Sequence, residues 1–195
     1  MSLKRFIGKA ALKLKGWKHV GTLPTEAKKC VCIYAPHTSM EDFFIGLYFY
    51  WAEEIPFKVM IKKEFFKTPI IRWCLLRLGG IPVDRGHQNH LVEKMVEMFE
   101  KEDTVCLTIC PEATRKKVDR WKKGFYYIAE GAKVPIMIGF CDFQKKICGF
   151  GPMILPTGDY DKDLSLIWDF YKDVKAKFPD KFNLDEQYRT QESGN

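Results

Sequence analysis

The apolar positions of the chain change rhythm along its length. They begin at Leu3, Phe6, Ile7, Ala10, Ala11, Leu14 and Trp17, the i, i+3, i+4 spacing of one face of an α-helix. Beyond the turn signals at Gly21 and Pro24, a short run of β-branched and small apolar residues over 30–35 predicts a buried strand. A helix is expected over about 41–51, then a strand near 57–61, and Pro69 is placed to open a helix reaching 78. Gly79 and Gly80 break that helix before a strand at 81–83. Leu91, Met95, Met98 and Phe99 mark an amphipathic helix ahead of a strand at 104–109. A helix near 124–132, strands at 134–140 and 147–155, and a last helix carrying Leu164, Ile167, Trp168, Tyr171, Val174 and Phe178 complete the series. After Phe182 the chain is polar. Strands alternating with helices predict one α/β domain, a mixed and largely parallel sheet flanked by helices.

Length agrees with that reading, since 195 residues suit one ordinary domain with a real core. The seven cysteines have no second C-x-C or C-x3-C pair to complete a metal framework, and the four histidines supply none. They read as small buried hydrophobes of a reducing compartment, and no structural metal is expected. The strongly apolar stretch beginning at Phe43 ends at Glu53, far short of the ~20 residues that span a bilayer. Lys9, Lys13 and Lys15 interrupt what would be the apolar segment of a secretory signal.

Charge changes the picture. Lys and Arg number 32 against 25 Asp and Glu, a formal net charge of +7, which favours an anionic partner such as phosphate, nucleic acid or an acidic lipid surface. Lys4, Arg5, Lys9, Lys13, Lys15 and Lys18 accompany the first helix, and no acid occurs before residue 26. At roughly 1 kcal/mol per basic residue near an anionic bilayer, such a helix, with Trp17 at its end, suits reversible attachment to a membrane surface. The bland reading is a terminal helix packed on the core with a solvated charged face.

Three short segments carry candidate chemistry. The first, Pro36-His37-Thr38-Ser39-Met40-Glu41-Asp42, lies between a predicted strand and a predicted helix. With roughly 3.6 residues per helical turn, positions i and i+5 stand about 140° apart, so His37 and Asp42 meet only if His37 lies in the loop and Asp42 in the first turn. A carboxylate on one ring nitrogen then leaves the other free as a general base. The competing reading makes Thr38 or Ser39 an N-cap that Asp42 completes, with His37 a bystander. Gly80-Ile81-Pro82-Val83-Asp84-Arg85 and Cys110-Pro111-Glu112-Ala113-Thr114-Arg115 end two further strands. In a parallel α/β sheet the carboxyl ends of the strands converge on one edge, where ligands bind. Two arginines delivered there suit bidentate binding of phosphate, and Lys116, Lys117, Arg120, Lys122 and Lys123 extend the positive field.

These blocks resemble the glycerolipid acyltransferases typified by bacterial 1-acyl-sn-glycerol-3-phosphate acyltransferase. H-x4-D is present as His37 and Asp42, K-x-E-hydrophobic-x3-P as Lys62, Glu64, Phe65 and Pro69, G-x3-D-R as Gly80, Asp84 and Arg85, and P-E-G-T-R as Pro111, Glu112, Thr114 and Arg115. Val134-Pro135-Ile136 follows at suitable spacing, so the resemblance covers about half of the chain, from His37 to about Gly139. The chain departs from the pattern at Pro36, where the family commonly has Asn, and at Ala113, where it usually has Gly. A left-handed backbone at Ala113 would carry strain on the order of 1 kcal/mol.

The resemblance implies acyl transfer from acyl-CoA or acyl carrier protein to a lysophospholipid hydroxyl, with 1-acyl-sn-glycerol 3-phosphate the leading acceptor, in phospholipid biosynthesis. His37 and Asp42 would be catalytic, while Lys62, Arg85, Glu112, Thr114 and Arg115 would hold the acceptor; no bound cofactor or metal is implied. No G-x-S-x-G elbow supports a serine nucleophile. The expected organisation is a membrane-associating helix over 1–20, an acyltransferase domain over 21–182 and a polar tail over 183–195. The expected location is peripheral, on the cytoplasmic face of a membrane. The alternatives are another lysolipid or glycerol 3-phosphate as acceptor, or a noncatalytic basic module for lipid or nucleic acid. For the last, neither an RNA-reading sheet motif nor a zinc-finger framework is present, so no nucleic acid partner is expected.

Overall fold

A computed structural model describes residues 2–84 and 90–184. Among them, seven strands form one sheet: β1 (Lys18–Val20), β2 (Lys29–Ala35), β3 (Phe57–Lys62), β4 (Gly80–Val83), β5 (Val105–Ile109), β6 (Ile136–Asp142) and β7 (Ile147–Ile154). Their order across the sheet is β1-β7-β6-β2-β5-β3-β4. Among the described residues every strand pairing is parallel except β6 with β7, a hairpin in which Cys141 stands opposite Cys148. The helices are α1 (Leu3–Leu14), α2 (Met40–Ala52), α3 (Pro69–Arg77), α4 (Leu91–Lys101), α5 (Gly124–Ala132) and α6 (Tyr160–Tyr171). The predicted α/β class, with its largely parallel sheet, is what the chain adopts.

The period-2 alternation of the central strand sorts the core into two layers. Val31, Ile33 and Ala35 of β2 face one side, where α4, α5 and α6 supply Met95, Phe99, Phe125, Tyr126, Leu164 and Tyr171. Cys30, Cys32 and Tyr34 face the other, against Ile45, Phe49 and Tyr50 of α2 and Leu12 of α1. Both faces are apolar because helices cover both, so β2 reads as a continuous hydrophobic run. Five cysteines are buried in this core, whereas Cys74 is exposed on α3.

Several expectations are corrected. The first helix ends at Leu14, because Lys15 closes it and Gly16 takes a φ of 71°. Trp17 is not an aromatic at a membrane: it is buried, edge-on to Phe143 at 4.9 Å between ring centres. The charge on α1 is not wholly unbalanced either, since Arg5 pairs with Glu54 at 3.3 Å and Lys15 with Glu41 at 3.9 Å, at opposite ends of α2. The helix docks on α2 through Gly8 and Leu12, leaving Leu3, Phe6, Ile7 and Leu14 exposed. A Cβ on Gly8 would lie 2.5 Å from the Tyr48 carbonyl oxygen, so only glycine permits this approach. The last helix stops at Tyr171, short of Val174 and Phe178, because the chain turns to run across the loop before α2. There Phe143 N–H donates to the Lys175 carbonyl and Phe178 N–H to Thr38 Oγ1. Strand β1 is too short to show a pattern in the sequence; it pairs with β7.

Candidate active site

The carboxyl ends of β2, β5, β3 and β4 meet on one edge, as the parallel registers require. Residues 36–39 leave β2 there and enter α2. Ser39 is the N-cap of α2, in extended backbone, with its Oγ accepting from Glu41 and Asp42 N–H at 3.1 and 3.3 Å. Asp42 returns the favour: its Oδ2 accepts from Ser39 N–H at 2.7 Å and Thr38 N–H at 2.6 Å, and its Oδ1 from the Ser39 hydroxyl at 2.5 Å. This is a capping box extended by one residue. The same carboxylate, fully buried, lies 3.7 Å from His37 Nδ1. Capping and orientation of the imidazole, which compete as readings of the sequence, are one arrangement here. Held by three donors, Asp42 has little freedom to rotate, so the ring it faces is aimed by the helix terminus itself.

Glu112 completes the arrangement from the loop after β5. Its side chain is buried and its Oε1 accepts the His37 main-chain N–H at 2.7 Å. Among the described residues its Oε2 has no hydrogen-bond partner. Burial pushes its pKa up to about 7, the Asp42 charge adding to the rise and the His37 N–H opposing it. Glu112 therefore grips the loop that carries His37, a contact the spacing of H-x4-D and P-E-x-T-R does not reveal.

The remaining candidates are arranged more loosely. Thr114 and Arg115 follow Glu112 in the same loop; Thr114 Oγ1 accepts from Lys116 N–H at 3.3 Å, and Arg115 is exposed. Ala113 does take the left-handed conformation, with a φ of 55°. Lys62 ends β3 at the same edge, exposed, with its Nζ 3.4 Å from Glu64. Arg85 lies outside the described residues, one position beyond Asp84, which pairs with Lys63. The structure thus brings His37, Asp42 and Glu112 into one network and sets Lys62, Thr114 and Arg115 along the same edge.

Beside His37 a narrow cavity of about 30 Å³ runs between α2 and the sheet, walled by Phe43, Gly46, Leu47, Tyr50, Phe57 and Val59. Its polar atoms are turned aside. Thr108 donates to Tyr50 Oη at 2.9 Å, and Tyr34 Oη donates to the Asp42 carbonyl at 3.3 Å while contacting Cys141 Sγ at 2.6 Å. What remains facing the space is hydrocarbon.

A histidine set against a buried carboxylate at the mouth of an apolar slot, with basic residues along the rim, has the parts of a general-base site. The family comes from the sequence: the model of the acyltransferase family matches residues 18–137, more than half of the chain. The chain belongs to the acyltransferase family. A chloroplastic 1-acyl-sn-glycerol-3-phosphate acyltransferase of Brassica napus is 28% identical over 142 residues, 70% of this chain. Those residues span 37% of the Brassica protein, so the chain corresponds to little more than a third of that relative. The fold is that of the 1-acyl-sn-glycerophosphate acyltransferase PlsC of Thermotoga maritima, with a TM-score of 0.64, 17% identity, and coverage of 90% of this chain and 79% of that one. Both agree with the resemblance carried by the four sequence blocks, the Brassica protein in sequence and PlsC in fold.

Proposed function

We propose that this acyltransferase moves a fatty acyl group from a thioester, acyl-CoA or acyl carrier protein, to the free hydroxyl of 1-acyl-sn-glycerol 3-phosphate. The observation that carries this reading is His37, set 3.7 Å from Asp42 and opening on an apolar slot. With Nδ1 turned to the carboxylate, Nε2 is the ring atom that takes the hydroxyl proton. The acceptor oxygen attacks the thioester carbonyl as the proton passes to His37. Collapse of the tetrahedral intermediate breaks the C–S bond, and the imidazolium returns its proton to the leaving thiolate. The products are the diacyl lipid and the free thiol, and no acyl-enzyme forms. The 3.7 Å separation would tighten to a hydrogen bond as positive charge develops on the ring.

The slot suits the first methylenes of an acyl chain, since its hydroxyls are already engaged with partners in the protein. The acceptor's phosphate falls to Arg115 and Thr114, with Lys62 and, by resemblance, Arg85. Glu112 acts chiefly by holding the His37 main chain and has its second oxygen available to the acceptor glycerol. The exposed apolar side chains and lysines of α1 support work at an anionic membrane surface; among the described residues no helix is long and apolar enough to cross a membrane.

Thiol release from acyl-CoA and from acyl carrier protein, measured against a panel of lysolipid acceptors, tests the proposal. His37→Ala should abolish release while vesicle binding persists. Turnover that survives the substitution would sink the mechanism, and a preference for acceptors lacking phosphate would sink the assignment of the rim.

A further inference from the structure

Helix α3 is the anomaly of the fold. Every other α-helix among the described residues has at least two buried residues, and α3 has none. Its sequence is Pro-Ile-Ile-Arg-Trp-Cys-Leu-Leu-Arg, apolar on nearly every side, a composition that belongs in a core rather than in water. Yet Ile70 is 76% exposed, Trp73 60% and Phe65, in the turn just before the helix, 61%. Ile71 and Leu76 are exposed as well. Single exposed apolar residues are ordinary, but a run of five on one short segment marks a surface that meets something other than water.

Charge identifies the occupant. Between Phe65 and Arg77 there is no acid, and Lys67, Arg72 and Arg77 are all exposed. The Arg77 guanidinium lies 5.0 Å from the centre of the Trp73 ring, so a cation sits against an aromatic at the edge of the patch. Tryptophan and leucine with arginine and lysine beside them are the makings of an element that lies in a headgroup layer, the rings and branched chains in the acyl boundary and the cations at the phosphates. The placement agrees. Helix α3 continues from β3, whose Phe57 and Val59 wall the slot beside His37. Its far end, at Leu76 and Arg77, borders a groove of about 330 Å³ shared with Ser2 and Lys4 at the start of α1.

We infer that the segment from Phe65 to Arg77 is a second bilayer-docking element, seating Ile70, Ile71, Trp73 and Leu76 in the interface of an anionic membrane. It meets the membrane beside the start of α1, and on the side of α2 where the acyl slot lies. The inference extends the membrane half of the proposed function and is independent of its chemistry.

Cys74 gives a direct probe, because it is exposed on α3 while the other cysteines are buried or half-buried. An environment-sensitive fluorophore on Cys74 of the full chain, with Cys74→Ser as the labelling control, should shift to the blue with phosphatidylcholine–phosphatidylglycerol vesicles. The shift should be weaker with phosphatidylcholine alone. Ile70→Ser with Trp73→Ser should lower sedimentation with the mixed vesicles by at least about tenfold. In that variant, thiol release with a water-dispersed short-chain acceptor should stay unchanged. Unshifted emission under conditions where the protein sediments with vesicles overturns the inference. So does a double variant that sediments like the parent, including one that has changed only its lipid-free mass by light scattering, which would make the patch a contact between copies. A blue shift in a protein that releases no thiol with any acceptor upholds the docking element and defeats the proposed chemistry.

Discussion

Replacing Glu112 by Gln should change how the stability of the protein depends on pH. In the folded chain the carboxyl is pushed up to about 7 from an ordinary 4.5, chiefly by desolvation. Between those values the native state holds a proton that the unfolded state has released, so rising pH favours unfolding. At about 1.36 kcal/mol for each unit, the loss amounts to about 3 kcal/mol, begun near pH 4.5 and complete just above pH 7. Gln keeps an oxygen to accept the His37 N–H and does not titrate. Its amide also places donors where Oε2 has no partner among the described residues, and an unsatisfied amide costs on the order of 1–3 kcal/mol. That cost is the same at every pH, so it displaces the comparison vertically and leaves its shape alone. The assay is urea denaturation of both proteins from pH 4.5 to pH 8. The stability of the variant minus that of the parent should climb by about 3 kcal/mol across the range and then level. Groups that do not interact with Glu112 cancel in the difference. A flat difference would mean that Glu112 is solvated or balanced by a cation, and the account of its burial would fail.

Other substitutions follow from single contacts. Ala113→Gly should stabilise the chain by up to about 1 kcal/mol in urea denaturation, by relieving a side chain held at a φ of 55°; destabilisation would show that the methyl packs favourably. Gly8→Ala should loosen α1 from α2, since the new Cβ would meet backbone at 2.5 and 2.6 Å, at a cost of about 1–3 kcal/mol. Faster proteolysis within the first 15 residues reads this out, and unchanged cleavage would contradict the close approach. Gly46→Ala should close the slot beside His37, where a Cβ would lie 2.9 Å from the Tyr34 ring; turnover with long acyl donors should fall more than with acetyl-CoA, and equal loss would remove the slot from acyl binding. Arg115→Ala should raise the KM for a phosphorylated acceptor more than that for the thioester, and equal effects would argue against phosphate recognition there.

How far the sequence reveals these features depends on whether the information is local. The strands and helices were legible because alternation and the i, i+3, i+4 rhythm report which side of an element avoids water. His37 and Asp42 were legible because the loop and the first helical turn are consecutive in the chain. The Glu112 to His37 N–H bond joins residues 75 apart through a side chain and a backbone group, and no pattern of residue types records it. The end of α6 is hidden in the sequence for a related reason. Val174 and Phe178 keep the apolar spacing of a helix, but the chain there is recruited by Thr38 and Phe143, and such tertiary bonds override propensity. On α1 and α3 the sequence is silent in a different way. Periodicity shows that residues are apolar without showing what covers them, and on these helices among the described residues the protein leaves much of the apolar face uncovered.

The two carboxylates of the site divide it electrostatically. Asp42 and Glu112 hold the 36–39 loop from opposite sides, one from the helix that the loop enters and one from the neighbouring strand's loop. Asp42 brings a charge close to His37 and helps to push the Glu112 pKa up to about 7, so Glu112 carries its full charge only above that pH. An acceptor phosphate placed against these groups would meet repulsion in a poorly solvated pocket, where charges are weakly screened. Arg115, Lys116 and Lys117, exposed just past Glu112, reverse the sign within a few residues. The proposed acceptor therefore has one favourable orientation, its hydroxyl toward His37 and its phosphate outward along the basic loop. The positive surplus does more than attract an anion. Set against the two buried acids, it would determine which end of the proposed acceptor enters first.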